Sequence, residues 1–256
     1  QWQWSVPDGE RVRGSVTAHA DSLFVSTADA VYRLRADGEE QEQFYRHDTG
    51  SISTAPISVD GSIAVGIDVA DADRFVFLDA TTPSTVETVV EVAGAPRNAA
   101  AFDDRVFVRT TDAIVALDRG SESPRWTNTL ISGAHPGDVP LATADTVLTG
   151  TGDGAVAALD PETGEQRWRR SIEGTHAFSP TAAGATAYVT DTDGRLYAMD
   201  EETGGVLASV RPDAEADLPG VAAVDIDGSP VVSASSVSFV TPDGVLVEVS
   251  RDDSLS

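Results

Sequence analysis

The sequence predicts an all-β fold made of about six repeated four-stranded sheets. Two observations lead to this prediction: a motif that returns about every 40 residues, and short apolar runs separated by turn residues inside each copy. The 3.6-residue periodicity of amphipathic helices is missing throughout. The 256 residues are 41% apolar, which is enough to form the core of one large domain.

The repeat is plainest in the second half of the chain. The stretches "GDGAVAALDPETGEQRW" at 152–168 and "TDGRLYAMDEETGGVLA" at 192–208 share an Asp-Gly pair, an apolar run and a Thr-Gly pair. Degenerate copies surround Arg35 and end at Gly244. The aspartates that follow the apolar run are Asp79, Asp118, Asp160 and Asp200, at spacings of 39, 42 and 40 residues.

Each copy reads as four short strands joined by tight turns. Asp-Gly before the third strand and Thr-Gly before the fourth suit hairpins that need a positive φ. Four-stranded units of about 40 residues are typical of the blades of a β-propeller. We expect a single domain over 1–256, with blades at approximately 8–50, 51–94, 95–133, 134–174, 175–217 and 218–251.

Residues 1–7 precede the first complete copy. "QWQWSV" resembles "QRWRRSI" at 166–172, which is a predicted fourth strand, and Trp4 stands 31 residues before Arg35. The segment is therefore predicted to be an outer strand that closes the ring, because closure removes an open sheet edge. The prediction is six blades, or seven if the chain has been trimmed. The predicted strand at 244–250 already gives the sixth copy a fourth strand, so a blade lost upstream is the alternative.

The motif "DG-x-(L/V)-x-A-(L/M)-D-x-E-T-G-x-x-x-W" resembles the pyrroloquinoline-quinone (PQQ) repeat, which also occurs in assembly scaffolds of the BamB type. The match is nearly complete in the fourth and fifth copies and weaker elsewhere. The resemblance implies that Trp126 and Trp168 lie on outer strands and pack between blades. It also implies that Asp118, Asp160 and Asp200 fasten the turn after the third strand.

The charge is extreme, with 42 acidic against 17 basic residues and a net charge of −25. Every basic residue is arginine, and Asp outnumbers Glu 28 to 14. This composition resembles that of haloarchaeal proteins, whose crowded carboxylates are screened by concentrated salt. Such a surface repels nucleic acid and anionic lipid. We therefore expect no nucleic-acid partner.

The sequence says less about location. Cysteine is absent, which excludes disulfides and thiolate metal sites, and no run of 18 apolar residues could span a membrane. The chain starts at Gln1 without an initiator Met, so an export signal could have been removed. We expect a monomer outside the cytoplasm or at the cell surface, with a cytoplasmic location still open.

Catalytic signatures are sparse. Dehydrogenases that use PQQ on this fold are generally longer, hold a calcium or lanthanide ion and often carry adjacent cysteines, whereas this chain has no cysteine and two asparagines. The glycine-rich "GTGDG" at 150–154 leads into a hairpin rather than a helix, so it lacks the usual phosphate cradle. The acidic clusters at 68–73, 191–194 and 225–228 lack the six converging oxygens that calcium needs. No cofactor, metal site or catalytic residue is predicted.

Histidine and arginine at equivalent positions are the candidates for a binding surface. His135 and His176 are 41 residues apart, in the connections that follow two predicted fourth strands. Arg97 falls near the same register in the third copy, and Arg11 and Arg13 do so in the first. In a propeller these connections surround one mouth of the central channel, so they could receive an acidic peptide or anion.

The first functional hypothesis is therefore a non-catalytic scaffold that docks a protein or peptide partner at the channel-mouth loops. Rigid sheets that present many loops suit such a role. Two alternatives remain open: a PQQ-dependent dehydrogenase with Ca²⁺, and a ligand-sensing domain of a larger chain. The fold alone does not decide among these three functions.

Overall fold

The computed structural model consists of short antiparallel strands. The described residues divide into two compact units, Gln1–Leu130 and Ile131–Ser256, with one 3₁₀ turn at Pro7–Gly9. None of the helical segments in this described part is long and apolar enough to cross a membrane. The structure describes residues 2–38, 40–129, 131, 139–174, 179–191, 195–210, 230–240 and 246–251, except for the side chains of residues 8 and 240.

The first unit contains three sheets. Sheet 1 comprises β1 (Arg13–His19), β2 (Ser22–Ser26), β3 (Ala30–Arg35) and β4 (Gln41–Arg46). Sheet 2 comprises β5 (Ser51–Ile52), β6 (Ile57–Val59), β7 (Ser62–Asp68), β8 (Arg74–Asp79) and β9 (Val86–Glu91). Sheet 3 comprises β10 (Pro96–Phe102), β11 (Arg105–Thr110), β12 (Ile114–Asp118) and β13 (Trp126–Asn128).

The second unit contains three more sheets. Sheet 4 comprises β14 (Leu141–Ala142), β15 (Val147–Thr151), β16 (Ala155–Leu159) and β17 (Gln166–Ser171). Sheet 5 comprises β18 (Thr181–Ala183), β19 (Thr186–Thr190), β20 (Leu196–Asp200) and β21 (Val206–Val210). Sheet 6 comprises β22 (Val231–Val232), β23 (Ser236–Val240) and β24 (Leu246–Ser250).

Every sheet is a meander in which each strand pairs with its neighbours in sequence. In sheet 2 the first strand is split, since β5 and β6 both pair with β7. Because the pairing is antiparallel, the first and third strands of a sheet begin at the same end, which we call the upper end. The second and fourth strands begin at the lower end. The prediction of an all-β chain with six blade-like sheets is confirmed.

Alternation along each strand decides which neighbouring sheet a side chain contacts. On β8, Val76 and Leu78 pack into a cluster with Phe44 of sheet 1. Phe75 and Phe77 point the other way, into a cluster with residues of sheet 3 such as Val108. The apolar run "RFVFL" therefore forms a strand that is buried on both faces, which explains why it lacks polar alternation.

The sixth copy differs from the prediction. The sequence predicts a fourth strand at 244–250, but β24 is the third strand of its sheet in the described residues. Leu246 begins β24 and Leu196 begins β20, so the two third strands are 50 residues apart rather than 40. The larger spacing arises between β21, which ends at Val210, and β22, which begins at Val231, since β17 and β18 are separated by only residues 172–180.

The N-terminal segment also differs from the prediction. Residues 2–6 form no strand, and no ring closure by them is detected in the described part of the chain. They lie against sheet 1, where the Trp2 indole donates to the carbonyl of Ala36 at 3.1 Å and the Trp4 ring lies 5.4 Å from that of Tyr32. Closure of the ring by this segment stays a prediction.

Candidate functional site

In sheets 2 to 5, the aspartate at or directly after the end of the third strand holds the next turn. In sheet 5, Asp200 Oδ1 accepts hydrogen bonds from the backbone and the hydroxyl of Thr203, at 2.8 and 2.7 Å. In sheet 4, Asp160 Oδ1 accepts from the backbone N–H groups of Glu162 and Thr163, at 2.8 and 3.0 Å. The short acidic side chain is suited to this task because it can accept from backbone groups two and three residues ahead.

The two earlier copies hold the same turn with different partners. Asp79 accepts from Thr81 and from the backbone of Thr82, at 2.6 to 2.9 Å. Asp118 instead pairs with Arg125, whose Nη1 lies 3.1 Å from Oδ2. These aspartates lie at the lower end of their sheets, and their carboxylates are committed to the local turn.

Hydrogen bonding lowers the pKa of three of these carboxyls. For Asp79 and Asp200 the main cause is the threonine hydroxyl that donates to the ionised form. For Asp160 the main cause is the Arg167 guanidinium, 2.7 Å away, and its pKa falls to about 2. All three are therefore ionised at neutral pH and unsuited to act as general acids.

Trp168 on β17 packs against the same turn of the next sheet. Its indole N–H donates to the carbonyl of Glu201 at 3.0 Å, and its ring covers Gly204, which leaves no room for a side chain there. The partly buried ring also contacts the apolar clusters that include Val156 and Met199. The contact joins sheets 4 and 5 by shape and by one hydrogen bond.

The contacts of the other tryptophans differ in part from the prediction. Trp126 begins β13, the fourth strand of sheet 3, with its ring 5.9 Å from Phe107. Trp2, rather than Trp4, makes the contact that Trp168 makes, since its ring covers Gly38 in the turn after a third strand. The predicted alignment of Trp4 with Trp168 is therefore wrong by two residues. A shift of two residues leaves the side chain on the same face of an extended segment.

The candidate binding residues lie at the upper end of the first unit, as far as the structure describes them. Arg13 is the first residue of β1, Arg11 precedes it, and both are exposed. Arg97 is the second residue of β10 and is half-buried. His135 and His176 lie outside the described residues.

These arginines are unusual because the chain pairs most of its guanidinium groups. Arg170 and Arg251 donate to Gly204 and Tyr188, and Arg105 and Arg109 also have partners. Among the described residues, a carboxylate partner within 4 Å is seen for Arg33, Arg35, Arg46, Arg119, Arg125, Arg167, Arg169 and Arg195.

Within the described residues, four guanidinium groups form neither a hydrogen bond nor an ion pair. They belong to Arg11, Arg13, Arg74 and Arg97, and all four residues lie at the upper end of sheets 1 to 3. Arg74 is not among the residues that the sequence pattern indicates. It stands directly after the acidic run "DVADAD", which is typical of a solvated turn. Its position at the start of a third strand is the feature of the sequence that could have indicated it as a candidate.

Acidic side chains lie near Arg97 without neutralising it. Asp73 accepts from the backbone N–H of Val69 at 3.3 Å, and burial raises the pKa of its carboxyl. Asp68 and Asp112 raise it further through repulsion between like charges, whereas Arg97 lowers it. Arg97 therefore lies within electrostatic reach of a carboxylate but makes no contact with it.

One buried carboxylate lies at the upper end of sheet 5. Asp191 is fully buried and accepts from the Tyr197 hydroxyl at 2.8 Å, and from the backbone of Gly174 and Arg195 at 3.2 and 2.9 Å. Burial and this hydrogen bond raise the pKa of Tyr197, which stays protonated as the donor. The group ties the connection after β17 to the hairpin between β19 and β20, so we interpret it as structural.

Two open cavities lie at the lower ends of sheets. One of about 590 Å³ in sheet 1 is lined by Arg33, Arg35 and Glu42, and one of about 470 Å³ near Arg167 lies between sheets 4 and 5. Their arginines are already paired with carboxylates. Within the described ranges, no cluster of His, Asp and Glu side chains could hold a metal ion.

Comparisons with known structures extend over nearly the whole chain. BamB from Moraxella catarrhalis aligns with a TM-score of 0.71 and 23% identity, over 93% of this chain and 72% of that one. Hsv2p from Kluyveromyces lactis aligns with a TM-score of 0.65 and 12% identity, over 90% and 71%. The computationally designed Ika8 protein aligns with a TM-score of 0.60 and 11% identity, over 94% and 83%. At these identities the likeness shows a shared fold.

The family comparison is more specific. A search of curated proteins found no match. The model of the PQQ-like family described as outer membrane protein assembly factor BamB matches residues 76–254, well over half of the chain. The match includes both complete copies of the repeat and the aspartates that hold its turns. The chain is therefore a β-propeller repeat protein that belongs to the BamB-type PQQ-like repeat family.

Proposed function

We propose that this chain is a docking scaffold that binds an acidic segment of a protein or peptide at the upper end of its first three sheets. The observation that carries the proposal is the position of the four guanidinium groups without partners in the described residues, Arg11, Arg13, Arg74 and Arg97. Most other arginines of the described residues have a carboxylate, carbonyl or hydroxyl partner, so these four are left for an external one.

The net charge makes such a site selective. A surface with a net charge of −25 repels acidic partners from most approaches, so a local group of arginines defines where one can dock. Guanidinium binds carboxylates through two parallel N–H···O bonds, and each charge-assisted bond contributes about 1.5–3 kcal/mol. Two or three such contacts are enough for a specific, salt-sensitive interaction.

The family supports the same class of function. Its description as an assembly factor fits a protein that acts by holding other proteins. Sheets whose connections all emerge at fixed positions offer a rigid base for such contacts. We extend the proposal to a location outside the cytoplasm or at the cell surface, which cell fractionation of the source organism would test.

Direct peptide binding tests the proposal. A fluorescent Glu-rich 12-residue peptide is titrated with the protein at several KCl concentrations, with a Gln-rich peptide as the neutral probe. The variant R11A/R13A/R97A is compared with R35A/R125A/R167A, which removes the same charge from exposed ion pairs at the lower ends of sheets. Such surface pairs contribute about 0–1 kcal/mol each, so the control variant should fold.

We expect the acidic peptide to bind more tightly than the neutral one and to weaken as KCl rises. The upper-end variant should lose at least tenfold in affinity, or about 1.4 kcal/mol, and the lower-end variant less than twofold. Equal affinity for both variants, or no preference for the acidic peptide, would overturn the proposal.

A further inference from the structure

Arg74 differs from the other three arginines without partners in the described residues. The repeat pattern in the sequence does not indicate it as a binding residue. It begins β8, and alternation puts it on the same face as Val76 and Leu78, which pack against sheet 1. Its neighbour Asp73 lies within electrostatic reach of Arg97. Arg74 lies in the cleft between sheets 1 and 2.

Two polar side chains at the upper end of sheet 1 lie on the side towards which this face of β8 is turned, since Tyr45 packs in the same apolar cluster as Val76 and Leu78. The hydroxyl of Tyr45 lies 3.1 Å from His47 Nδ1, and the two rings are stacked with their planes 28° apart and their centres 6.3 Å apart. His47 Nε2 lies 3.5 Å from the hydroxyl of Thr49. Burial raises the pKa of Tyr45, and the charge of Arg74 opposes that rise. Burial lowers the pKa of His47, and the charge of Arg74 lowers it further.

The charged side chains near Arg74 do not form an ion pair with it, so its guanidinium group is available to bind a carboxylate. Glu91 is directly opposite it on β9, but the two side chains form no ion pair within 4 Å. Arg46 is held by Asp29 at 3.5 Å, so it contributes no free guanidinium. Burial and Arg74 lower the pKa of His47, and the charge of Asp48, which raises it, has a smaller effect. His47 is therefore neutral at pH 7.

We propose that Arg74, His47 and Tyr45 form a subsite for one carboxylate, which the side chain of an Asp or Glu in the docked segment would supply. The guanidinium provides the charge and two parallel donors, and the imidazole and phenol provide further polar contacts in a half-buried cleft. This inference rests on the proposed docking function for the source of the carboxylate. The subsite itself can be tested without any peptide.

Acetate is the probe, and the ring resonances of His47 are the readout. The isotope-labelled protein is titrated with potassium acetate in exchange for KCl at constant ionic strength, and the pKa of His47 is measured by NMR with and without acetate. We expect a saturable shift of the His47 resonances and a rise of its pKa, because a bound anion favours the imidazolium. His19, which is bonded to Ser58 at the lower end of sheet 1, is the internal control and should not shift.

The variant R74Q separates the subsite from a general effect of acetate. In the free variant the pKa of His47 should rise, because a positive neighbour has been removed, and this also reports that the cleft is folded. The acetate-dependent shift should disappear in R74Q and persist in R97Q. A shift that survives in R74Q, or none in the unmodified protein, would overturn the subsite.

The two proposals fail in different ways. Peptide binding that depends on Arg11, Arg13 and Arg97, together with no acetate response at His47, would leave docking intact and remove the subsite. A saturable acetate response with no preference for the acidic peptide would leave the subsite and remove docking.

Discussion

Individual side chains of the repeat act mainly on their own turns. Asp160 is the clearest case, since it accepts two backbone hydrogen bonds and pairs with Arg167. The arginine holds the carboxyl pKa at about 2, below the ordinary value of 3.8. A carboxylate with a lowered pKa stabilises the folded state only while it is ionised.

The stability of the protein should therefore depend on Asp160 in a pH-dependent way. Above about pH 4 the ionised carboxylate contributes fully, and the contribution is lost as the pH falls from 3.8 towards 2. In the variant D160N the amide oxygen still accepts the backbone bonds but cannot form the ion pair. Thermal unfolding from pH 7 to pH 3 should show a difference in Tm between the two proteins that is constant at higher pH and shrinks below 4. A constant difference down to pH 3 would contradict this assignment.

The sequence predicted the positions of the repeat-motif residues more successfully than the roles of residues outside the motif. The spacing of Asp160 and Asp200 is visible in the chain, and both lie at the end of a third strand. Arg74 has a counterpart in Arg195, which also stands five residues before the aspartate of its copy but pairs with Glu173. The importance of Arg74 depends on the absence of a nearby partner, which only the folded chain reveals. The exchange of Trp2 for Trp4 has a similar cause, because both lie on one face of an extended segment.

At the scale of elements, the turn between the third and fourth strands couples one sheet to the preceding one. Gly204 has φ of +68°, and a Cβ there would lie 2.5 Å from the Trp168 ring. The glycine therefore meets two requirements, a left-handed backbone and the close approach of an aromatic ring. The sequence could indicate the first through the Thr-Gly pair, but not the second.

Two glycines of sheet 5 allow these requirements to be separated. Gly184 has φ of +65°, and no atom lies within 4 Å of the position that a Cβ would take, so G184A should cost only the backbone strain, about 1–2 kcal/mol. G204A should cost the same strain and also displace Trp168 from Glu201. We expect a larger loss of unfolding free energy in G204A, measured by chemical denaturation, together with a change in tryptophan fluorescence. Equal losses in the two variants would show that the ring contact contributes nothing.

Element boundaries were predictable where the copies are regular. β21 and β22 are further apart in sequence than β17 and β18, so a constant spacing of 40 residues misassigned β24 as a fourth strand. Sheet 2 splits its first strand into β5 and β6, which the apolar pattern alone does not indicate. A repeat determines the order of strands, whereas insertions and breaks depend on local contacts.

At the scale of the whole molecule, the dominant property is charge. Within the described residues, eight of the 17 arginines are seen paired with carboxylates, and the many acidic groups left over repel one another at the surface. This repulsion destabilises the compact state, because unfolding moves like charges apart. The same excess makes the few arginines without described partners distinct, since they are exceptions on an acidic surface.

Salt should therefore stabilise this protein strongly. The screening length falls from about 30 Å at 0.01 M to about 3 Å at 1 M salt, so molar KCl removes most of the repulsion between surface carboxylates. Thermal unfolding in 0.01 M and in 2 M KCl should show a higher Tm at high salt, with most of the gain below 1 M. An equal osmolality of sucrose is the control, because it stabilises compact states without screening charge. A Tm that does not change between dilute buffer and molar KCl, or a gain that sucrose reproduces in full, would contradict the account of this surface as a set of mutually repelling carboxylates.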